Sequence, residues 1–339
     1  MEPEIIIEKT SPFGNVQALV EKTDRTYFFY LWINPKSNDR QMRACWICNR
    51  IRAPKNMNDA FPNDGREPCM PEEFVAHDLN GIDIDESDLS IEWFEEGDGV
   101  FLLSGEDIIA VIPGFSGYND FYGYSAYAKG TGPFAWEINK ALPHLKEELD
   151  RCRRFWNFFE KDFWGDVQQM HLDVLQKFMG KHEDYYAIDQ DKFPPKAMVT
   201  GKKGDTYYAF TLGVSMFPMP TVEMAYGDDY MDHRRIELGF FSNDKKVVDN
   251  VLSGIAFLGL LPWEGLTFLG HGHTLQYNKI PGYDHLLMLD ASVMKDIDHP
   301  VYPDFMGEKI NLLWLKLITE EEYDFIVDKG VDEYLTRYR

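Results

Sequence analysis

The sequence predicts an α+β fold, with a mostly antiparallel β-rich N-terminal part and a mixed α/β C-terminal part. Three observations lead to this prediction. Short apolar and aromatic runs bounded by turn residues fill residues 1–140, two amphipathic helical patterns occupy residues 141–180, and strands alternate with helices over residues 181–339. We therefore expect an N-terminal β-rich domain, two linking helices and a second domain, with these boundaries.

The first strands are apolar runs that end at turn residues. Residues 26–35 read TYFFYLWINP, and residues 42–51 read MRACWICNRI. Three further runs, at 89–94, 99–104 and 107–114, are joined by the short turn sequences EEGDG and SGE. Connections this short favour a meander of consecutive antiparallel strands.

Two helices follow this meander. Pro143 is placed to open the first, because proline is tolerated in the first turn of a helix. The second is expected over residues 165–180. In both, apolar residues recur at intervals of three and four, which produces one apolar stripe per helix. The stripes are Leu145, Leu149, Cys152, Trp156, Phe159 and Phe163 in the first, and Val167, Met170, Val174 and Phe178 in the second.

The remaining chain alternates between strands and helices. Expected strands are 196–203, 206–215, 234–241, 265–275, 285–290 and 311–318, with a helix at 246–261. Thr319 and Glu322 have the spacing of a capping box at the start of a last helix. Gly330 stands where a C-terminal cap in the left-handed region belongs.

The charge of the chain restricts its partners. The 339 residues include 57 acidic and 34 basic side chains, for a net charge of −23. Duplex DNA or RNA is disfavoured as a ligand because phosphate binding needs clustered Lys and Arg. An acidic surface could attract a basic protein, or it could serve only to keep the protein soluble.

The termini and cysteines indicate a cytoplasmic protein. The N-terminus has neither the basic segment nor the long apolar run of a signal peptide. Charges or glycines interrupt every apolar stretch, so no membrane span is expected. The four cysteines are therefore expected as reduced thiols.

The order of C-terminal motifs resembles the Suppressor of fused (SUFU) domain family, bacterial members in particular, over residues 181–339. The motifs are IEL (236–238) before the long helix, the turn Gly-His-x-x-x-Leu (270–275) after it, and LITEEEY (317–323) before Gly330. The segments CWICNRI, EWFEEGDGVFLL and IPGFSGY of the N-terminal part resemble an extension found in some bacterial members.

The resemblance implies a mixed α/β domain without known catalytic residues that acts by binding. The animal member sequesters a transcription factor and grips a short peptide partly as an added strand. Bacterial relatives are often placed among immunity proteins that neutralise polymorphic toxins. This sequence has no long insertion like that of the animal protein, so the Hedgehog-pathway role is not carried over.

One candidate metal site lies in the N-terminal part. Cys45, Cys48, Cys69 and His77 could supply four zinc ligands, since thiolates and imidazole suit tetrahedral zinc. A second Cys-x-x-Cys pair is missing. Residues three apart on a strand also point to opposite faces, so Cys45 and Cys48 could not reach one ion without a turn. The thiols are better interpreted as ordinary buried side chains.

Two acidic clusters are weaker candidates for chemistry. EWFEEGDG carries Glu92, Glu95, Glu96 and Asp98, but these flank a turn between strands, where charged residues are ordinary. GDDYMDHRR carries three carboxylates without the spacing of an EF-hand. Beside a strand edge, this second cluster could instead form a rim for a partner. The candidate binding residues are Asp228, Asp229, Asp232, His233, Arg235 and Glu237.

The stretch GHGHT contains the pair His271 and His273. On a strand, two such imidazoles would share a face, as in many metal sites. No Asp or Glu lies within four residues of the pair. Gly270 and Gly272 favour a tight bend. The SUFU resemblance implies that His271 and Thr274 lie in a structural turn, where a histidine is expected to hydrogen-bond the backbone.

The sequence therefore predicts a non-enzymatic, cytoplasmic protein that binds and sequesters another protein. No Walker, dinucleotide-binding, Gly-x-Ser-x-Gly or His-Glu-x-x-His motif is present, and no cofactor is expected. The partner would be a protein, such as a basic toxin domain, and neither nucleic acid nor membrane. The alternatives are a peptide-binding regulatory module that adds a strand at Glu237 and residues 234–241, and a zinc-binding protein using Cys45, Cys48 and Cys69.

Overall fold

The computed structural model describes residues 3–61 and 67–338. The chain divides into two compact units, Met1–Lys161 and Asp162–Arg339. Both units contain sheet and helix, and strands pair mainly in the antiparallel sense. The predicted α+β class is confirmed.

In its described residues, the N-terminal unit contains two antiparallel-rich sheets and one α-helix. The first sheet joins four strands in chain order: β1 (Glu4–Thr10), β2 (Val16–Lys22), β3 (Thr26–Ile33) and β4 (Gln41–Asn49). The second joins β5 (Leu89–Trp93), β6 (Val100–Ser104), β7 (Asp107–Ile112), β8 (Tyr124–Ser125) and β9 (Trp136–Glu137), and helix α1 spans Leu142–Phe159. The expected antiparallel meander is confirmed in β5, β6 and β7.

Helix α1 packs its predicted apolar stripe on the second sheet. Leu145, Leu149 and Cys152 form one buried cluster with side chains of β6 and β7 such as Phe101 and Val111. Pro143 lies in the first turn of the helix, as predicted. Burying this stripe stabilises the helix more than its intrinsic propensity does.

A β-bulge in β4 changes the geometry expected for its cysteines. Cys45 pairs with Phe29 and Trp46 with Phe28, but the register then shifts and Cys48 pairs with Tyr27. The extra residue reverses the alternation of side chains, so Cys45 and Cys48 point to the same face. The prediction that they point to opposite faces is wrong for this reason.

The C-terminal unit is built on one seven-stranded sheet. Its strands are β10 (Asp184–Ala187), β11 (Ala197–Lys203), β12 (Thr206–Leu212), β13 (Ile236–Ser242), β14 (Thr274–Gln276), β15 (His285–Asp290) and β16 (Asn311–Ile318). Their order across the sheet is β10-β11-β12-β13-β16-β15-β14, and among the described strands of this sheet only β13 and β16 pair in parallel. The helices are α2 (Trp164–Met179), α3 (Glu223–Tyr226), α4 (Lys245–Gly265), α5 (Glu320–Lys329) and α6 (Val331–Arg337).

Helices cover both faces of this sheet. The α4 backbone at Gly254 lies against Leu286, whereas the neighbouring residue Leu287 packs with α5 and α6. Since adjacent residues of a strand point to opposite faces, α4 lies on one side and α5 and α6 on the other. Helix α2 shares the second face, because its Phe178 contacts Phe210, which in turn contacts Trp314.

Helix α4 is the one described helix that is long and apolar enough to cross a membrane by length and composition. Its inner residues, among them Val251, Ile255 and Leu258, are buried in the C-terminal unit. A core helix of a folded domain has the same composition as such a span, so the observation is weak evidence for insertion.

The last long helix begins and ends as the sequence indicates. The Thr319 hydroxyl accepts from the Glu322 amide, and the Glu322 carboxylate accepts from the Thr319 amide at 2.8 Å. Gly330 ends α5 with a φ of 86°, which a residue without a Cβ adopts readily. The predicted capping box is confirmed.

Candidate functional site

An exposed acidic loop precedes β13. Helix α3 ends at Tyr226. The φ of 54° at Gly227 reverses the chain, and a 3-10 turn follows over Gly227–Asp232. The side chains of Asp228, Asp229 and Asp232 are exposed. Three carboxylates therefore project from one short turn, without a basic residue between them.

Aromatic stacking and a backbone contact hold this acidic loop in place. The His233 ring stacks on Tyr226 with centroids 3.9 Å apart. The Asn311 amide on β16 donates to the Asp232 carbonyl at 2.7 Å. Both ends of the loop are thus fixed, so its carboxylates are presented by a preorganised turn.

Two buried arginines lie directly behind the loop. Arg234 and Arg235 have no solvent exposure, and both bind the Glu308 carboxylate, with Nε–Oε2 distances of 2.6 and 3.0 Å. Arg235 also donates to the carbonyl of Met216 at 2.6 Å. Burial alone would raise the pKa of Glu308, but the arginines lower it below its usual value. This network supports the loop and is not itself open to a partner.

Glu237 belongs to a second buried polar cluster. Its carboxylate accepts from the Thr211 hydroxyl at 2.5 Å and from the Ser215 hydroxyl at 2.7 Å, and it lies 3.0 Å from His171 Nε2. His171 Nδ1 lies 2.9 Å from the Val167 carbonyl, which can only accept. Both imidazole nitrogens therefore face acceptors, an arrangement that favours the protonated ring.

The two pKa values of this pair follow from its contacts. Burial lowers the pKa of His171, but the charge and hydrogen bond of Glu237 raise it above its usual value. Burial raises the pKa of Glu237, but His171, Thr211 and Ser215 lower it below its usual value. The cluster is an ion pair sealed inside the C-terminal unit.

The expectation of an exposed strand edge at 234–241 is wrong. Strand β13 pairs with β12 on one side and β16 on the other, and Arg235 and Glu237 are fully buried. The structure thus separates the candidate binding residues into two groups. Asp228, Asp229 and Asp232 lie on the surface, whereas Arg235 and Glu237 lie beneath it.

Lys196 is a buried cation that lies outside every motif of the sequence. It is 2% exposed, and its Nζ lies 3.8 Å from the Trp263 ring centroid. Burial lowers its pKa to about 7, although Glu237, Glu264 and Asp189 oppose the shift. A lysine at the start of an apolar strand was the only signal in the sequence.

The cysteines of the candidate zinc site are all buried. Burial raises the pKa of the Cys45, Cys48 and Cys69 thiols, which disfavours the thiolate form that binds metal. His77 uses its Nε2 to accept from the Asn49 amide at 3.1 Å. Within residues 3–61 and 67–338, no group of three or more His, Cys, Asp or Glu side chains could hold a metal ion.

The acidic turn between β5 and β6 is paired with arginines of α1. Arg151 Nε lies 3.3 Å from Glu95, which is buried, and Arg153 Nη2 lies 2.9 Å from Glu92. These contacts bind the turn to the helix. In the N-terminal unit, Glu92 and Glu95 therefore have a structural role as partners of these arginines.

GHGHT forms a turn before β14. Gly272 has a φ of 85°, and its amide donates to the Met288 carbonyl at 2.8 Å. His271 Nδ1 accepts from the Asp290 amide at 3.2 Å. The expected bend and the backbone contact of His271 are confirmed, and the strand predicted over 265–275 is wrong for all but the last residues.

Most of the C-terminal unit is similar to one known protein family. Residues 192–339 match the family described as Suppressor of fused protein (SUFU). This part of the chain matches a SUFU domain. The domain includes the acidic loop, both arginines and Glu237, and SUFU domains serve protein interaction and regulation. No curated protein and no solved structure was found to match the chain.

Proposed function

We propose that the protein is a non-enzymatic binding protein of the cytoplasm that sequesters a protein partner. In bacteria it would be an immunity protein that neutralises a polymorphic toxin. The observation that carries the proposal is the acidic loop of the SUFU domain, in which Asp228, Asp229 and Asp232 are exposed on a turn anchored from beneath.

The loop is suited to a basic partner for two physical reasons. Exposed carboxylates on a chain of net charge −23 attract cations and accelerate encounter. A turn already fixed by the Tyr226–His233 stack loses little conformational entropy when it binds. The acidic loop would therefore contribute mainly to the association rate.

The proposal is tested by measuring how the protein binds the product of the neighbouring gene. The wild type is compared with a variant in which the charges of the acidic loop are reversed. Replacing Asp228, Asp229 and Asp232 together by Lys should slow association at least about tenfold at low salt and abolish protection of cells that express the toxin. The control carries the same change in charge on exposed residues of α1 and the turn after it: Glu147→Lys, Asp150→Lys and Glu160→Lys. If both variants lose the same association rate and protection, the acidic loop is not the binding surface. If the neighbouring product is no toxin and does not bind, the immunity role is wrong.

We also propose that the protein binds no cofactor. Protein purified without a tag should carry far less than one zinc ion per chain, because the three thiols are buried with raised pKa values. Elemental analysis by mass spectrometry measures this directly. Stoichiometric zinc that is lost on replacing Cys45 and Cys48 by Ser would establish the metal-binding alternative.

A second candidate function is strand addition at another edge of the sheet. Strand β10 is the outermost strand beside β11, and all four of its residues are exposed, including Tyr185 and Tyr186. An extended peptide could pair with this edge, and the tyrosines would contact its side chains. Replacing Tyr185 and Tyr186 by Ser should then reduce peptide binding, whereas replacing Tyr118 and Tyr122 by Ser should not. Array binding that survives randomised peptide side chains would argue against specific recognition.

A further inference from the structure

The seven-stranded sheet separates at the ends of its two parallel strands. Strands β13 and β16 pair from Ile236 and Asn311 to Gly239 and Trp314, and their pairing stops there. Strand β13 continues to Ser242 along β12, and β16 continues along β15. Beyond this point β13 stays paired with β12 and β16 with β15, so a wedge opens between β13 and β16.

A cavity of about 900 Å³ occupies this wedge. Its walls include Phe241 at the end of β13, Leu289 on β15, Met294 in the following loop and Trp314 on β16. Most lining side chains are apolar, and the volume lies within the range of small-molecule sites, roughly 300–1,000 Å³. The cavity therefore suits a molecule that is largely apolar.

Two hydrogen-bond donors on β16 border the cavity and have no hydrogen-bond acceptor among the described residues. Lys316 is half-buried, its Nζ lies 4.8 Å from the Tyr334 ring centroid, and it forms no ion pair within the described chain. Trp314 is 1% exposed, and its indole Nε1 has no hydrogen-bond partner among the described residues. Since the two residues are two positions apart on a strand, their side chains share a face.

Glu322, the carboxylate whose charge acts on Lys316, is already engaged, and the charged residues Lys295 and Asp296 also line the cavity. Glu322 accepts from the Tyr334 hydroxyl at 2.8 Å and from the Thr319 amide at 2.8 Å. Burial lowers the pKa of Lys316, and the charge of Glu322 only partly opposes this. A half-buried ammonium and an unsatisfied indole N–H both carry a desolvation cost that an anionic acceptor would offset.

We propose that this cavity binds an amphipathic monocarboxylate, a molecule with a long aliphatic or aryl tail and one carboxylate, such as a fatty acid. The tail would lie between Phe241, Leu289 and Met294, and the carboxylate would accept from Lys316 and Trp314. This site is separate from the acidic loop, and its occupancy does not depend on the proposed protein partner.

The test uses dodecanoate below its micellar concentration and the full chain, with binding measured by calorimetry. We expect saturable binding of one molecule per chain, at least tenfold weaker in Lys316→Met and several-fold weaker in Trp314→Phe. Lys246→Met, on the exposed side of α4, is the matched control and should bind as the wild type does. Dodecyltrimethylammonium, with the same tail and the opposite charge, should not bind.

Two further measurements keep the test decisive if a variant is destabilised. Met294→Trp should fill the cavity and abolish binding, while its near-ultraviolet circular dichroism stays native. Wild-type affinity should fall as pH rises through the lowered pKa of Lys316, below the ordinary 10.5 of a lysine. Failure of dodecanoate to saturate, or equal binding by wild type, Lys316→Met and Trp314→Phe, would overturn the proposal. So would an extended peptide that binds the wedge and that dodecanoate cannot displace.

Discussion

Glu237 shows how one buried residue connects three elements. Its carboxylate joins His171 on α2 to Thr211 on β12 and to Ser215 in the turn that follows. Because both carboxylate oxygens accept hydrogen bonds and His171 supplies the opposite charge, the charge is tolerated in the interior. Removing the Glu237 charge leaves protonated His171 buried without a counter-ion. This unpaired charge destabilises the fold more than the buried ion pair does.

We therefore predict that Glu237→Gln lowers the free energy of unfolding by about 3 kcal/mol near pH 5.5. His171, with a raised pKa, contributes stability below its unfolded value of 6.5 and loses it as pH rises through its folded pKa. Glu237, with a lowered pKa, contributes above its unfolded value of 4.5 and loses it as pH falls through its folded pKa. The difference between wild type and variant should be largest between pH 4.5 and 6.5 and shrink on both sides.

Urea denaturation at several pH values measures this difference. The exposed substitution Glu183→Gln serves as control and should change stability by less than about 0.5 kcal/mol. A pH-independent effect of Glu237→Gln would mean that the pair is not ionised in the folded protein.

At the residue scale, the acidic loop could be recognised in the sequence, but the buried polar contacts of the same unit could not. Asp228, Asp229 and Asp232 were identifiable because they lie close together in the chain, directly after Gly227. His171 and Glu237 are 66 positions apart in the chain, and only folding brings them to 3.0 Å. The available signal was a charged residue within the apolar run IELGFF, which a strand interior tolerates only when that residue is paired.

At the scale of single elements, local rules predicted helices better than strands. The stripe of α1 and the capping box of α5 follow from spacing alone, since a helix satisfies its hydrogen bonds within itself. The bulge in β4 and the turn at GHGHT depend on neighbouring strands, β3 and β15 respectively. Their geometry could not be derived from the alternation of residues in one segment.

The capping box provides the prediction at this scale. Thr319→Ala should lower the free energy of unfolding by about 1 kcal/mol, because the Glu322 amide loses its acceptor at the start of α5. Thr319→Ser keeps the hydroxyl and should retain most of the stability. Thermal unfolding of the three proteins gives the comparison. Equal losses in the Ala and Ser variants would assign the effect to packing of the Thr319 methyl group.

At the scale of the whole molecule, the chain forms two compact units that meet in sequence at Lys161 and Asp162. Composition indicated two parts, with linking helices expected at 141–180. In the structure, α1 belongs to the first unit and α2 to the second. The apolar stripes revealed that each helix has a packing face, but not which sheet covers it.

Limited proteolysis tests the division into units. Residues 160–162 are exposed and lie outside regular helix and strand, so trypsin should cleave early after Lys161. Two fragments of 161 and 178 residues are expected to resist further digestion. Lys161→Gln should delay the cut without changing the fragments' resistance. Early cleavage spread over many other sites would contradict the existence of two stable units.

The distribution of sulfur has a practical consequence for measuring motion in this molecule. All four cysteines, Cys45, Cys48, Cys69 and Cys152, are buried in the first unit, and the second unit has none. An alkylating reagent can therefore reach a thiol only when the first unit opens. The rate of mass gain per thiol would report the opening of that unit alone, without an engineered probe, while the second unit contributes no background.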